Sequence, residues 1–247
     1  MGFVSLVGYA FDAYRRNVKL ISFFSIPFLI VFPLVLAMPN FTALGGIFLR
    51  FASIQRDLSL FDGLVILAAL AISLILFSLA IVAVNLLIKS QRTLLRLTTH
   101  DIETIESGTF KLFWVYAIVF AFVFAVNYAL YDYGLHTTLG ALISFIAAAA
   151  VFFVPQAIVV ENVELRHAVG RSISVALRRL PYFLGLLVVA GVLLLVNAWI
   201  FLEIGNGLGE AALYARYAAI VVNALFILPF IECLKTQVYL SKYTILD

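Results

Sequence analysis

From Gly63 to Ile88 the chain carries no charged side chain, and only Ser73, Ser78 and Asn85 interrupt its apolar composition. A helix needs about 20 such residues to cross a hydrocarbon core about 30 Å thick, so this stretch predicts a membrane crossing. Comparable runs cover Leu20 to Ala37, Leu112 to Leu130, Thr138 to Val160, Tyr182 to Leu202 and Ala211 to Glu232. Across all 247 residues, 65% are hydrophobic, 12% are charged and the mean hydropathy is +1.14. Soluble domains hold roughly half apolar and a quarter charged residues, so that class is excluded. The expected architecture is all-α, a polytopic membrane helical bundle of six transmembrane helices in a single domain, residues 1–247.

The links between the runs are not plain loops. Leu165, Ala168, Val169, Ser172, Ile173, Ala176, Leu177 and Leu180 recur at steps of three and four, which places them on one helical stripe and leaves Arg166, Arg171, Arg178 and Arg179 mostly off it. A helix patterned this way suits a membrane surface with anionic headgroups. Phe3, Leu6, Val7, Ala10, Phe11 and Tyr14 repeat similarly, with Arg15 and Arg16 close by, predicting a second interfacial helix. A short surface helix is expected after Thr99 or Asp101, stopped by Gly108. Phe41, Leu44, Phe48 and Phe51 suggest another, interrupted by Gly45 and Gly46. Pro27 and Pro33 should kink the first crossing, Pro229 should break the sixth, and Gly205 to Gly209 reads as a turn. Shifting the amino-terminal helix by 162 positions aligns Phe3 with Leu165, Leu6 with Ala168, Val7 with Val169, Phe11 with Ile173 and Arg16 with Arg178, which suggests an internal repeat whose middle unit fits poorly.

Charge gives the orientation. With a cytoplasmic amino terminus, Arg15, Arg16, Lys19, Lys89, Arg92, Arg96, Lys111, Arg166, Arg171, Arg178, Arg179, Lys235 and Lys242 lie inside, leaving Arg50, Arg56 and Arg216 of the 16 basic residues outside. Both termini are then cytoplasmic, as an even number of crossings requires, and the expected location is the plasma membrane. Trp114, Tyr14, Tyr182 and Tyr239 fall at the inner boundary. Trp199, Tyr128, Tyr131, Tyr133, Tyr214 and Tyr217 fall at the outer one. The net charge of +3 follows from this sorting and predicts no nucleic-acid partner. One cysteine, Cys233, excludes an internal disulfide and a thiolate metal site, and the start of the sequence predicts no removable signal peptide.

The stretch VPQAIVVENVELRHAVGRSISVALRRLPYFLG joins an apolar helix with proline to a short acidic link, an Arg-Ser helix, paired basic residues and the next apolar helix. It resembles the six-helix membrane domain attached to some prokaryotic glycerophosphodiester phosphodiesterases, and related stand-alone integral membrane proteins. The closing LPFIECLKTQVYLSKYT is similar to that family's last helix, where a proline precedes a Thr-x-x-Tyr-like ending, here Thr236 to Tyr239. The resemblance implies a fold and a membrane location. The phosphodiesterase barrel with its His, Glu and metal-binding acids has no counterpart, so no activity or catalytic residue is implied.

Glu232 is the most suggestive single residue, since an acid within a crossing is costly and often functional. Lys235 lies on the same helical face, and the bland alternative is a wet ion pair at the boundary. Glu161 ends the fourth crossing at the same expected depth, so the two acids are candidates for a polar vestibule facing a charged solute or lipid headgroup. Asn85, Asn127, Gln156, Asn197 and Asn223 fall on five different crossings and must point inward, either joining helices or lining a hydrated path. Among these, Gln156, Asn197 and Asn223 join Glu232 and Glu161 as cavity candidates, and Arg15, Arg16, Arg171, Arg178 and Arg179 are the membrane-surface candidates. His100, His136 and His167 occupy separate links and read as solvated, without metal-ligand spacing. No nucleophile and base set is visible, so a non-enzymatic protein without cofactors is expected. The function indicated is binding or moving lipid-like or small amphiphilic molecules, or organising the bilayer. A small-solute transporter or channel is the second class, and a structural subunit of a membrane complex or homo-oligomer, suggested by Ala147 to Ala150, is the third.

Overall fold

The computed structural model describes residues 2–37, 43–44, 47–48, 60–90, 99–131, 133–209 and 212–241. It is helical apart from a minimal antiparallel pairing of Ala43–Leu44 with Ile47–Phe48, where Leu44 and Phe48 had been expected to share a short helix. Phe41, Gly45, Gly46, Phe51, Arg50, Arg56, Arg92, Arg96 and Lys242 lie outside the described residues. The helices are α1 (Phe3–Phe24), α2 (Ile26–Ala37), α3 (Leu60–Ser90), α4 (Thr99–Tyr131), α5 (Leu139–Val151), α6 (Val154–Glu161), α7 (Leu165–Arg178), α8 (Leu180–Leu208), α9 (Ala212–Val222) and α10 (Leu228–Leu240), with a π-helical segment, Asn223–Ile227, between the last two.

Five stretches among the described residues are long and apolar enough to cross a membrane: Leu64–Lys89, Asp101–Tyr131, Leu135–Glu161, Leu180–Leu208 and Ala212–Leu240. They coincide with the second to sixth expected crossings and fit a multi-pass membrane protein. The first expected crossing is divided. Its residues fall in the last turn of α1 and in α2, which break at Ser25, and α2 with its 12 residues spans only about 18 Å.

Hydropathy misjudged several helix ends for identifiable reasons. Gly108 does not stop a surface helix, because α4 runs unbroken from Thr99 to Tyr131. A Cβ at Gly108 would lie 3.0 Å from Val82 Cγ1, so this glycine serves the close approach of α4 to α3. Gly205 to Leu208 are likewise helical, and Gly209, at φ +56°, follows the last residue of the helix. At Gly205 an added Cβ would lie 3.6 Å from Ala215 Cβ, marking where α8 and α9 meet.

Three groups of helices make the bundle, α2 with α3, α4 with α5 and α6, and α8 with α9 and α10, and α3 packs along α4. The returning arms α3, α6 and α10 also pack on one another. Buried side chains concentrate near the carboxy-terminal ends of those arms, from Ala80 to Ile88, Val154 to Val159 and Ile231 to Thr236. At that end α1 crosses α10 and α3, and α7 rests on α5, α6 and α8. The opposite end is thinner. Beyond Leu186, α8 buries only Asn197 and Gly205, and Leu195, Trp199, Leu202 and Leu208 are exposed. Such exposure is tolerable where the surrounding solvent is hydrocarbon.

The α7 stripe is narrower than its spacing suggested. Ala168, Ser172, Val175 and Ala176 are buried, but Ile173, Leu177 and Leu180 are exposed. Tyr239, placed by the sequence in an interfacial belt, is fully buried in the core. Trp114, Trp199, Tyr128, Tyr133, Tyr214 and Tyr217 are exposed.

Between α4 and α5, Asn127 Nδ2 donates to Ser144 Oγ at 3.1 Å, and a Cβ on Gly140 would come within 2.2 Å of Asn127 Oδ1. Gly140→Ala should therefore lower the thermal unfolding midpoint, at a cost of about 1–3 kcal/mol for overpacking. Gly191→Ala, where nothing lies within 4 Å, should leave it unchanged or raise it slightly.

Candidate functional site

The three returning arms each bring one polar side chain to a shared point. Asn85 comes from α3, Gln156 from α6 and Glu232 from α10, and all are buried. Glu232 Oε2 accepts from Asn85 Nδ2 at 3.2 Å and from Gln156 Nε2 at 3.1 Å. Gln156 Nε2 also donates to Asn85 Oδ1 at 3.0 Å. Lys235 Nζ donates to Glu232 Oε1 at 2.6 Å, and the Thr236 hydroxyl reaches both Asn85 Oδ1 and the Glu232 carbonyl. Spacings of three and four put Lys235 and Thr236 on the same side of α10 as Glu232.

This is not the wet boundary pair that the spacing of Glu232 and Lys235 allowed. Their side chains are 10% and 7% exposed, respectively. A carboxylate taken from water loses solvation worth several kcal/mol, and here two amide donors and the Lys235 ammonium replace it. The ammonium of Lys235 also lies 4.6 Å from the centroid of the Phe152 ring, a cation–π contact in a dry setting. Gln156 Oε1 is buried and has no partner.

Phe152 lies at the break between α5 and α6. Pro155 has no N–H to continue the helix through this point, and the Phe153 N–H donates instead to Ser172 Oγ of α7 at 2.9 Å. α7 is thus anchored beside the charged pair. Ser172 sat on the expected apolar stripe, and its small size and hydroxyl are what the break requires. At Pro229 the missing N–H leaves the Leu225 carbonyl, four residues back, without its helical donor. The Tyr14 hydroxyl of α1 approaches it at 3.5 Å, and partial burial pushes that phenol up to about 12, keeping it a neutral donor.

The remaining candidates fall in other places. Glu161 accepts from the Tyr239 hydroxyl and pairs with Arg171 at 3.5 Å, so it ties α6 to α10 and α7. Lys89 Nζ caps the same end of α6 by donating to the Val159 carbonyl at 2.8 Å. Asn197 Nδ2 donates to Asn223 Oδ1 at 3.0 Å, joining α8 to the π-helical segment. Asn223 therefore does not share the point where Gln156 and Glu232 meet. Arg15, Arg16, Arg171 and Arg178 are exposed; Arg179 is partly buried, donating to the Ser241 carbonyl at 3.2 Å and lying 5.5 Å from the Tyr182 ring. His136, expected in solvent, is partly buried against Tyr131, and His167 is exposed.

Sequence reasoning picked out Glu232 and Gln156 but left Asn85 among the helix-joining amides and assigned no role to Thr236. The i, i+3, i+4 run Glu232, Lys235, Thr236 was the available signal. Among the described residues no group of three or more His, Cys, Asp or Glu gathers to hold a metal ion. Comparison with known proteins finds no matching family model, no similar curated protein and no similar solved structure.

Glu232→Gln removes the anion and leaves the Lys235 ammonium buried among donors. It should destabilise the protein by about 3–5 kcal/mol, read as a lower thermal midpoint in detergent. Adding Lys235→Met should restore most of that loss, because the unpaired charge is then gone; a double variant no better than the single one would show that the two residues do not act as a pair.

Proposed function

We propose that this chain is a non-enzymatic, multi-pass protein of a prokaryotic plasma membrane that binds lipid-like or small amphiphilic molecules through its arginine-bearing surface helices. The observation that carries the reading is the three-sided character of α7. One side is buried against the bundle at Ala168, Ser172 and Val175, another exposes Ile173 and Leu177 with Arg166 between them, and a third exposes His167, Arg171 and Arg178. A helix with a protein side, an apolar side and a cationic side fits the level where acyl chains meet phosphate headgroups. α1 supports the same reading, with Leu6 and Ala10 buried while Asp12, Arg15, Arg16 and Lys19 are exposed.

In this proposal the end of α1 together with α2 completes a sixth crossing, and α1 and α7 lie on the inner leaflet with both termini cytoplasmic. The resemblance to the membrane domain of glycerophosphodiester phosphodiesterases points toward glycerophospholipids as the molecules met. A solute pathway joining Asn223, Gln156 and Glu232 is the less favoured reading, because Asn223 pairs with Asn197.

Native mass spectrometry of the purified protein should find anionic phospholipid retained on the wild type and depleted on Arg171→Gln/Arg178→Gln, with little change in thermal midpoint. Equal retention by both proteins would overturn the reading. In sealed cells, a thiol introduced beside Arg171 in a Cys233→Ala background should resist a membrane-impermeant reagent until lysis. Labelling in intact cells would place α7 on the outer side.

A further inference from the structure

Among the described residues, Arg171 is the one basic side chain of α7 paired with an acid. Its Nε lies 3.5 Å from Glu161 Oε2, yet the arginine side chain is 62% exposed and the glutamate only 12%. The acid is itself held in place. Glu161 is the last residue of α6, and its Oε1 accepts from the hydroxyl of Tyr239, which is fully buried in α10. The arginine is also fixed at its backbone, because the neighbouring Ser172 Oγ takes the Phe153 N–H and seats α7 on the break between α5 and α6. Both ends of the Arg171 side chain are therefore anchored.

A guanidinium is planar and carries its donors in a rigid fork. When a fixed carboxylate takes the Nε side, the end formed by Nη1 and Nη2 points away from it, and two N–H groups there match two oxygens of a phosphate. Among the described residues that end meets no other partner. As a tie between α6 and α7, so exposed an ion pair contributes little stability. As a member of a cationic surface, Glu161 subtracts charge. Its remaining effect is on the direction in which Arg171 points.

We propose that Glu161 is the positioning residue of a phosphodiester site on α7, and that Arg171, aimed by it, takes two phosphate oxygens of a lipid headgroup through Nη1 and Nη2. His167, one turn before Arg171, and Arg178, two turns after it, are exposed on the same side of the helix. On the lipid-binding reading of α7, which this assignment presupposes, the forked end of one arginine, not the summed charge of several, holds the headgroup.

Native mass spectrometry of the full-length protein, with phosphatidylglycerol and inorganic phosphate offered separately, tests the assignment. Glu161→Gln keeps an acceptor for Tyr239 but makes the surface more positive, and Arg171→Lys keeps the charge but loses the fork. Attraction by charge alone would give both variants equal or greater lipid retention than the wild type. A positioned fork should give each variant a retention lower by about tenfold, the effect of one charge-assisted hydrogen bond, with a thermal midpoint close to that of the wild type. In an Arg171→Gln background, Glu161→Gln should have no further effect.

Wild-type retention by Glu161→Gln or Arg171→Lys, or a further loss in the Arg171→Gln background, would overturn the assignment, while depletion on Arg171→Gln/Arg178→Gln kept the lipid reading intact. Equal retention by that double variant and the wild type would overturn both. Inorganic phosphate should leave no more adduct on the wild type than on the double variant. A phosphate adduct that Glu161→Gln loses would assign the fork to free phosphate and overturn the headgroup.

Discussion

Glu232 is a carboxylate enclosed by helices, and its hydrogen bonds join three of them. Its two oxygens take hydrogen bonds from α3, from α6 and from its own helix, so the rotation of each returning arm about its axis is fixed by the direction its polar side chain must face. Lipid-exposed apolar surfaces give helices little reason to choose one neighbour over another, because hydrocarbon solvates leucine as well as a neighbouring leucine does. A buried charge with directional partners supplies that choice. Each interhelical hydrogen bond contributes on the order of 1 kcal/mol, but leaving the charge unpaired costs several times that, so the network acts mainly against alternative packings.

The proline breaks follow from the same need to satisfy polar groups away from water. Each break interrupts the backbone ladder, and the helices crossing the bundle at its densely packed end supply substitutes: Ser172 of α7 receives the Phe153 N–H, and Tyr14 of α1 approaches the Leu225 carbonyl. Ser25 closes its own break by donating its hydroxyl to the Ile21 carbonyl at 2.7 Å. α1 and α7 are therefore fixed by hydrogen bonds as well as by apolar contact. Because Phe152 lies both at one break and under the Lys235 ammonium, the charged centre and the seat of α7 share a residue.

α1 and α7, which a shift of 162 positions aligns, differ in the structure beyond the aligned residues. Shifting by 162 matches buried Leu6 and Ala10 with buried Ala168 and Ser172, yet α1 continues well past the length of α7 before its own break. Where the sequence suggested a separate surface helix ahead of the third crossing, Thr99–Tyr131 form one helix, α4. What the three returning arms share is a polar residue: Asn85, Gln156 and Glu232, at spacings of 71 and 76. Three different side chains at unequal intervals leave no repeat for sequence comparison to detect.

Hydropathy is a sum over neighbours in the chain, and it sufficed to locate five helices long and apolar enough to cross a membrane and the helix Leu165–Arg178 between two of them. It misplaced the stops at Gly108 and Gly205, since a glycine in a helix reads locally as a terminus but here permits contact with Val82 or Ala215. The sequence also marked Glu232, Gln156, Asn197 and Asn223 as polar groups that must find partners. Which partner each found was decided only by the tertiary structure, because that depends on the rotation and depth of helices separated by dozens of residues. The requirement to be satisfied belongs to each residue, and the means of satisfying it belong to the packed bundle.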